Sequence, residues 1–587
     1  MKSAYPFDRL MLVSNMRKPR LSLLLLLPLT AVYALSAAQT AQSQTAQSLP
    51  ANGDSAANPS RDAAEHLGKV DFPVSCSPDS QAAFNRGVAL LHSFWYEEAE
   101  KQFEAIVQQD PHCAMAHWGV VMSSFHQIWD RPDPGDLSAG WAQLQKAQAI
   151  ATQKPAASER KRQYIAALSD FYRPGKADYE VRIKAYSTAM AALHARYPQD
   201  VDAAAFYGLS LLAATPPGDL SLTNNRAALS LLEPYFAQYP DHPGVAHYII
   251  HACDHPTLAR QGLPAAERYE TMAASVPHGV HMPGHIYARL GMWQPDIRAN
   301  RASVADSQQA ERHHQGGVYD QLHADDFLLY AYVQSGDDAS ARALVAGNRA
   351  LIDHLSSMAA MHGGGMAGML PLYRVEFPTV YALEMRDWPA ALALKAPPQT
   401  PAFAQLLTYW ANGIAAGHLR QAEQARASLA GFERLLTEIR KSPDAYLADA
   451  PSTSIAEAEM QAWAMFAEGK HEDALSKMRS AAEQQDHVGQ GEVDIPAREM
   501  LADMLLEMHQ PQQALTEYEA ALALSPGRFN GLYHAGMAAE AAGKPAQAGR
   551  YYAELLKNTD DGAHSARPEL VHARAFVASE RGAKQAE

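Results

Sequence analysis

Small and aromatic residues recur along this chain at helical spacing, in units about one helix pair long. Gly87 and Leu90 precede Ala99, Phe103 and Pro111. Near the other end, Ala502 and Leu505 precede Ala514, Tyr518, Ala521 and Pro526. Gly536, Ala548 and Tyr552 repeat Ala502, Ala514 and Tyr518 at a spacing of 34 residues. A small residue lets two helices approach closely, the aromatic fills the space between units, and the proline stops the second helix. The same signature is read at Ala265, Tyr269 and Pro277, at Ala299, at Gly336 and Ala341, and at Asp387-Trp388-Pro389-Ala390-Ala391. A further unit at Ala474 carries an insertion with Gly489, Gly491 and Pro496, and another insertion holds Gly316-Gly317. The pattern predicts an all-α solenoid of antiparallel helix pairs.

The C-terminal half looks like ordinary tetratricopeptide repeats. Further motifs are Ser75-Cys76-Ser77, Leu91-His92-Ser93-Phe94, Asp110-Pro111-His112-Cys113-Ala114-Met115-Ala116, Ala116-His117-Trp118-Gly119 and His281-Met282-Pro283-Gly284-His285-Ile286. These resemble a family of exported bacterial tetratricopeptide-repeat proteins with His-rich central repeats. The resemblance covers roughly residues 70–400 with specific motifs. It implies a helical solenoid and supplies no catalytic residues.

Composition and charge narrow the setting. Hydrophobic residues make up 47% of the 587 positions and charged residues 19%. Arg17, Lys18 and Arg20 precede an apolar run from Leu21 to Leu35, and small residues follow at Ser36-Ala37-Ala38. Residues 1–38 therefore read as a cleaved signal peptide, and the protein as periplasmic or secreted. Residues 39–70 read as a polar, disordered linker, 71–396 as a His-rich array and 402–580 as a plainer array, parted by Pro397-Pro398-Gln399-Thr400-Pro401. The whole chain carries −15; the signal holds a net +4, so the mature chain carries about −19. With no basic stripe, nucleic acid is not expected as a partner, nor stable membrane insertion after cleavage. Cys76 precedes one helix and Cys113 opens the equivalent helix of the next unit, a candidate disulfide. Cys253 reads as a buried thiol.

Histidines carry the candidate chemistry. His247 and His251 stand four apart, as do His281 and His285, and the pairs are 34 apart. Aligning the units on Ala265, Ala299, Ala341 and Ala391 puts His323 in register with His247 and His281. The same alignment brings Asp326 and Glu376 into one column, with Asp254 nearby. Two imidazoles one helical turn apart can chelate one ion. His247, His251, His281, His285, His323, Asp254, Asp326 and Glu376 are thus candidate ligands for a divalent transition metal: Zn, Fe or Cu. His92 and His126, also 34 apart, are candidates to line the same concave groove. A Met/Gly-rich insertion from Met358 to Met369 is a candidate lid or soft-metal ligand set.

Three functions stay open. The first is a scaffold whose groove binds a peptide or protein segment beside a His/carboxylate metal site. The second is a metal-dependent hydrolase or oxidase using the same histidines. The third is metal storage or delivery. No hydrolase elbow, phosphate-binding loop, dinucleotide fingerprint or Cys-x-x-Cys pair is present, and His251-Ala252-Cys253-Asp254-His255 lacks the glutamate of a zinc-protease helix.

Overall fold

A computed structural model describes residues 65–586, apart from 129–130, 154–158, 176, 217–218, 314, 316, 363–368, 443–444, 490 and 492. The expected signal peptide, the linker as far as residue 64 and the centre of the Met/Gly-rich insertion lie outside the described residues. The described chain is an all-α, tetratricopeptide-like solenoid of antiparallel helix pairs. No helix among the described residues is long and apolar enough to cross a membrane.

The first five pairs are α1 (Ser80–His92) with α2 (Tyr96–Gln109), α3 (Ala114–Ser123) with α4 (Pro134–Gln153), α5 (Glu159–Tyr172) with α6 (Tyr179–Arg196), α7 (Val201–Ala213) with α8 (Thr223–Gln238), and α9 (Pro243–Cys253) with α10 (Ala259–Met272). The central units are α11 (Pro277–His281) and α12 (Pro283–Arg289) with α13 (Trp293–Arg312), α14 (Val318–Gln334) with α15 (Asp338–His362), and α16 (Leu370–Glu384) with α17 (Trp388–Ala393). Then come α18 (Ala402–His418) with α19 (Ala422–Ile439), a short α20 (Ala445–Ala448), α21 (Pro451–Ala467) with α22 (His471–Val488), α23 (Ala497–Glu507) with α24 (Pro511–Leu524), α25 (Phe529–Ala541) with α26 (Pro545–Asn558), and a final α27 (Pro568–Ala586).

Local chemistry sets these elements. Prolines open α9, α11, α12, α24 and α26, where the missing N–H is an orphan in any case. The turn inside a pair ends on a left-handed residue, glycine at Gly336, Gly469 and Gly543. Between units, a Cβ on Gly87 would sit 2.7 Å from the Phe103 ring, so the repeat's small residue and aromatic interlock as the pattern implies.

Two features were not expected. In the first five pairs, α1 packs on both α3 and α9, α3 on α5, and α7 on α9, so the facing helices meet across what would be a concave groove. Phe72 fills the space. It is fully buried, with its ring 5.4 Å from Phe84, 5.9 Å from Trp118 and 5.0 Å from Tyr164. The last residues assigned to the linker are docked here too: Lys69 N–H donates to the Asp241 carbonyl at 2.8 Å and Leu67 is buried. The apolar core also runs without a break across Pro397–Pro401, since Leu383, Ala391, Ala404 and Leu407 share one cluster.

The second feature is contact between units about seven periods apart. Trp293 Nε1 donates to the Gly527 carbonyl at 2.8 Å, across 234 residues. Gly291 has φ +65, and a Cβ there would collide with the Pro526 carbonyl, so both its conformation and the close approach exclude other residues. Behind this contact Arg528 is buried among Glu384, Glu499 and Tyr330.

Candidate metal centre

The 34-residue period becomes proximity through three neighbouring units. α12 packs on α9, and α14 packs on both α11 and α12. The eight residues that interrupt the period before His323 are absorbed outside the stack. α13 runs for 20 residues where its counterpart α10 runs for 14, and the rest form the turn before α14. His323 therefore still reaches the site.

Six imidazoles converge in two adjacent groups. His247, His251 and His278 form one trio; His281, His285 and His323 form the other. Within each trio the ligand nitrogens lie within 4.8 Å of one another. Between trios the closest rings are His278 and His281, with centroids 6.2 Å apart, and His251 and His285, at 6.4 Å. The helix is broken at Met282, yet Met282 keeps helical dihedrals (φ −52, ψ −37). Pro283 thus removes a hydrogen bond without changing the direction of the turn, and His281 still meets His285.

The tautomers decide what the second trio can do. Asn300 Nδ2 donates to Asp296, at 2.6 Å to Oδ1, which turns Asn300 Oδ1 toward His281. His281 Nδ1 donates to that oxygen at 2.6 Å. His285 Nδ1 donates to Asp254 Oδ2 at 3.2 Å, and Arg289 Nε donates to the other oxygen of the same carboxylate at 3.0 Å. In a neutral imidazole the remaining nitrogen is then a bare lone pair. Nevertheless His281 Nε2 and His285 Nε2 face each other at 2.9 Å. With both rings neutral neither can donate to the other, so the contact is met either by a proton on His285, beside the Asp254 carboxylate, or by a metal ion. An ion held about 2.0–2.1 Å from two imidazole nitrogens at a tetrahedral angle sets them roughly 3.3–3.4 Å apart, so the pair would open slightly to take one.

The first trio shares part of this plan, with one ring fixed from behind. His247 Nδ1 donates to the His92 carbonyl at 2.6 Å, which leaves His247 Nε2 as a lone pair 3.1 Å from His251 Nε2. Burial pushes His247 and His323 down to about 3 and holds His251, His278 and His281 well below the ordinary imidazole range, with neighbouring rings adding to the effect. At neutral pH these five rings are uncharged, the form that binds metal.

Two ligand-layer features escaped the sequence reading. His278 lies three residues before His281 and seven before His285, one helical face, but unit-by-unit alignment passes over it. Phe94 has φ +60, at the turn position held by Gly336, Gly469 and Gly543 in some pairs and by Arg386, Arg420 and His509 in others. A non-glycine side chain there is strained by about 1–2 kcal/mol. Its ring packs 4.4 Å from His247, 5.4 Å from His251 and 5.6 Å from His278. Phe327 is its counterpart on the second trio, 4.8 Å from His281 and 4.7 Å from His285.

The expected carboxylate ligands are placed differently. Asp254 caps α9 and orients His285 from behind. Asp326 and Glu376 are buried but belong to neither trio. Gly284, in the same register, faces Asp296 and Asn300 on the second helix of its unit. Cys76 and Cys113 are joined by a disulfide with Cα atoms 4.8 Å apart. Cys253 is buried, and burial pushes its thiol up to about 12.

Neither His92 nor His126 lines an open groove with the trios. His126 stacks on Tyr96, centroids 4.3 Å apart. His92 is buried in a network with Asp202 and His242. Val245 N–H donates to His242 Nδ1, Tyr248 O–H to His92 Nδ1 at 3.0 Å, and both Nε2–H groups to Asp202 Oδ1 at 3.0 and 3.2 Å. Every nitrogen is satisfied without an ion, unlike the facing lone pairs above.

Burial lowers His92 to about 4. Between pH 6.5 and 4 the unfolded chain therefore binds a proton that the native ring refuses. Stability is lost as pH falls through that window, by about 1.4 kcal/mol per pH unit for this ring. Urea unfolding of His92→Gln is expected to show lower stability at pH 7 and a decline toward pH 4 that is shallower by one proton. An unchanged slope rejects this assignment.

No protein-family model matches the chain, and no curated protein matches it. Among solved structures it is similar to the TPR domain of P58(IPK), at 15% identity, covering 66% of this chain and 99% of that one, with a TM-score of 0.21. It is also similar to human IFIT1 in a dimer with PPP-AAAA, at 11% identity, covering 82% of this chain and 95% of that one, with a TM-score of 0.34. The IFIT1 dimer with m7Gppp-AAAA gives 11%, 83%, 96% and 0.34. At these identities and scores nothing passes from those proteins to this one, and the fold assignment rests on the chain's own helix pairs.

Proposed function

We propose that this is an exported metalloprotein that holds two transition-metal ions side by side, one in each histidine trio. The observation that supports the reading is the convergence of three ring nitrogens in each trio, with His281 Nε2 and His285 Nε2 turned toward each other at 2.9 Å and both Nδ1 atoms bonded elsewhere. Asp254, Asn300 and the His92 carbonyl act from outside, fixing tautomer and ring direction as such partners do around metals. Three protein ligands per ion leave a coordination position open, which favours a reactive or exchanging ion over a purely structural one. Binding of a protein segment has no comparable support in the first five pairs, where aromatic rings occupy the concave side.

Elemental analysis of tag-free protein tests the reading. Two equivalents of metal are expected. His278→Ala is expected to remove one, His323→Ala the other, and the double variant both, while His126→Ala changes nothing. Wild-type protein that takes up no metal, and whose melting is the same with and without chelator, would sink the proposal.

A further inference from the structure

The charge around the trios bears on which ion they take. No carboxylate belongs to either trio, so the protein offers each ion three neutral donors. Asp254 is the carboxylate whose charge bears on His251, His281 and His323, and it is already paired with Arg289 at 3.0 Å. Asp296, behind Asn300, is fully buried with one carboxyl oxygen lacking a hydrogen-bond partner, an arrangement that suits a protonated acid and adds no negative charge. The walls are the rings of Phe94 and Phe327, so the local dielectric is low and unscreened charge is expensive.

We infer that each trio takes monovalent copper, Cu(I), in preference to a divalent ion. This rests on the two-ion reading above and names its occupant. Two divalent ions would bring four positive charges into a space whose nearby charges already cancel. Their mutual repulsion is roughly four times that of two monovalent ions at the same separation, because it scales with the product of charges. Zn(II) or Fe(II) would each draw a fourth ligand from solvent, a water or hydroxide, against an aromatic wall. Cu(I) needs no anion beside three neutral donors and can leave its fourth position open, and imidazole is among the ligands that copper accepts.

The test is an anaerobic titration of the metal-free full chain with Cu(I) in competition with a Cu(I) chelator, beside parallel titrations with Zn(II) and Fe(II). Two equivalents of Cu(I) are expected, held at least tenfold more tightly than either divalent ion. X-ray absorption at the copper edge is expected to read three nitrogen ligands. His281→Ala combined with His285→Ala is expected to leave one equivalent. Two equivalents of Zn(II) or Fe(II) held while Cu(I) is surrendered would overturn the Cu(I) assignment and leave the two-ion centre standing. Failure to bind any of the three would overturn both.

Discussion

Replacing Arg528 by alanine is expected to destabilise the protein by about 3–5 kcal/mol, the range found when one partner of a buried ion pair is removed. Arg528 is 1% exposed and its guanidinium bonds Glu384 and Glu499, each at 3.0 Å, together with the Tyr330 hydroxyl and the Asp494 carbonyl. Alanine would leave Glu384 buried without its cation and Glu499 with only the longer contact to Arg386, at 3.7 Å. Asn530 Nδ2 on the Glu384 carbonyl and Phe529 N–H on Gln334 Oε1 tie the same place together, so the loss should spread to α14, α16, α23 and α25. Chemical denaturation with hydrogen exchange checks this. Exchange in α25 and α26 should rise before exchange in α3 or α5. Arg528→Lys keeps the charge but loses the forked geometry, and is expected to fall between wild type and alanine. An alanine variant within about 0.5 kcal/mol of wild type would show that the cluster contributes nothing net, as some buried pairs do.

That cluster also marks where periodicity stops being informative. In a simple repeat array each unit contacts its neighbours, and stability is close to a sum of local terms. Here Trp293 with Gly527, and Arg567 with Asp338 at 2.8 Å, join units about seven periods apart. Helix pairing was legible because it depends on residues within one unit, such as Gly87 against Phe103. How tightly successive pairs turn depends on every small and large side chain along the facing helices, and no single period encodes it. The filled concave side of the first five pairs is the result. The site shows the same division. Unit register put five of the six histidines together, since register survives an insertion that lengthens α13. It gave position without direction, so Asp326 and Glu376 entered the candidate set although neither belongs to a trio. His278 was hidden because it belongs to the face of a helix interrupted by Pro283, and Phe94 because its place against the trio depends on how α1 packs on α9, which no period encodes.

Loading the centre should change stability more than any single surface substitution. In the metal-free state, five of the six trio rings are held neutral by burial, and His281 and His285 keep two lone pairs in contact. A bound ion relieves that contact and links helices from three units: α9 with α11 in the first trio, and α11, α12 and α14 in the second. A ligand that binds only the native state stabilises it by about 4 kcal/mol when free ligand is a thousandfold above its dissociation constant, and two such ions by about twice that. Thermal unfolding of the loaded chain is therefore expected well above that of the chelated chain, with slowed hydrogen exchange concentrated in α9, α11, α12 and α14. Because Phe94 lies against the first trio from the α1–α2 turn, protection should extend there and fade toward α5. His247→Ala with His251→Ala should remove the part of the gain that reaches α1, while His281→Ala with His285→Ala should remove the part at α14. Equal melting with and without metal, and no change in exchange at these helices, would mean that the rings only pack against one another. The facing lone pairs of His281 and His285 would then need a different cation, and a shared proton, titrating as the pH is lowered, would be the one left to measure.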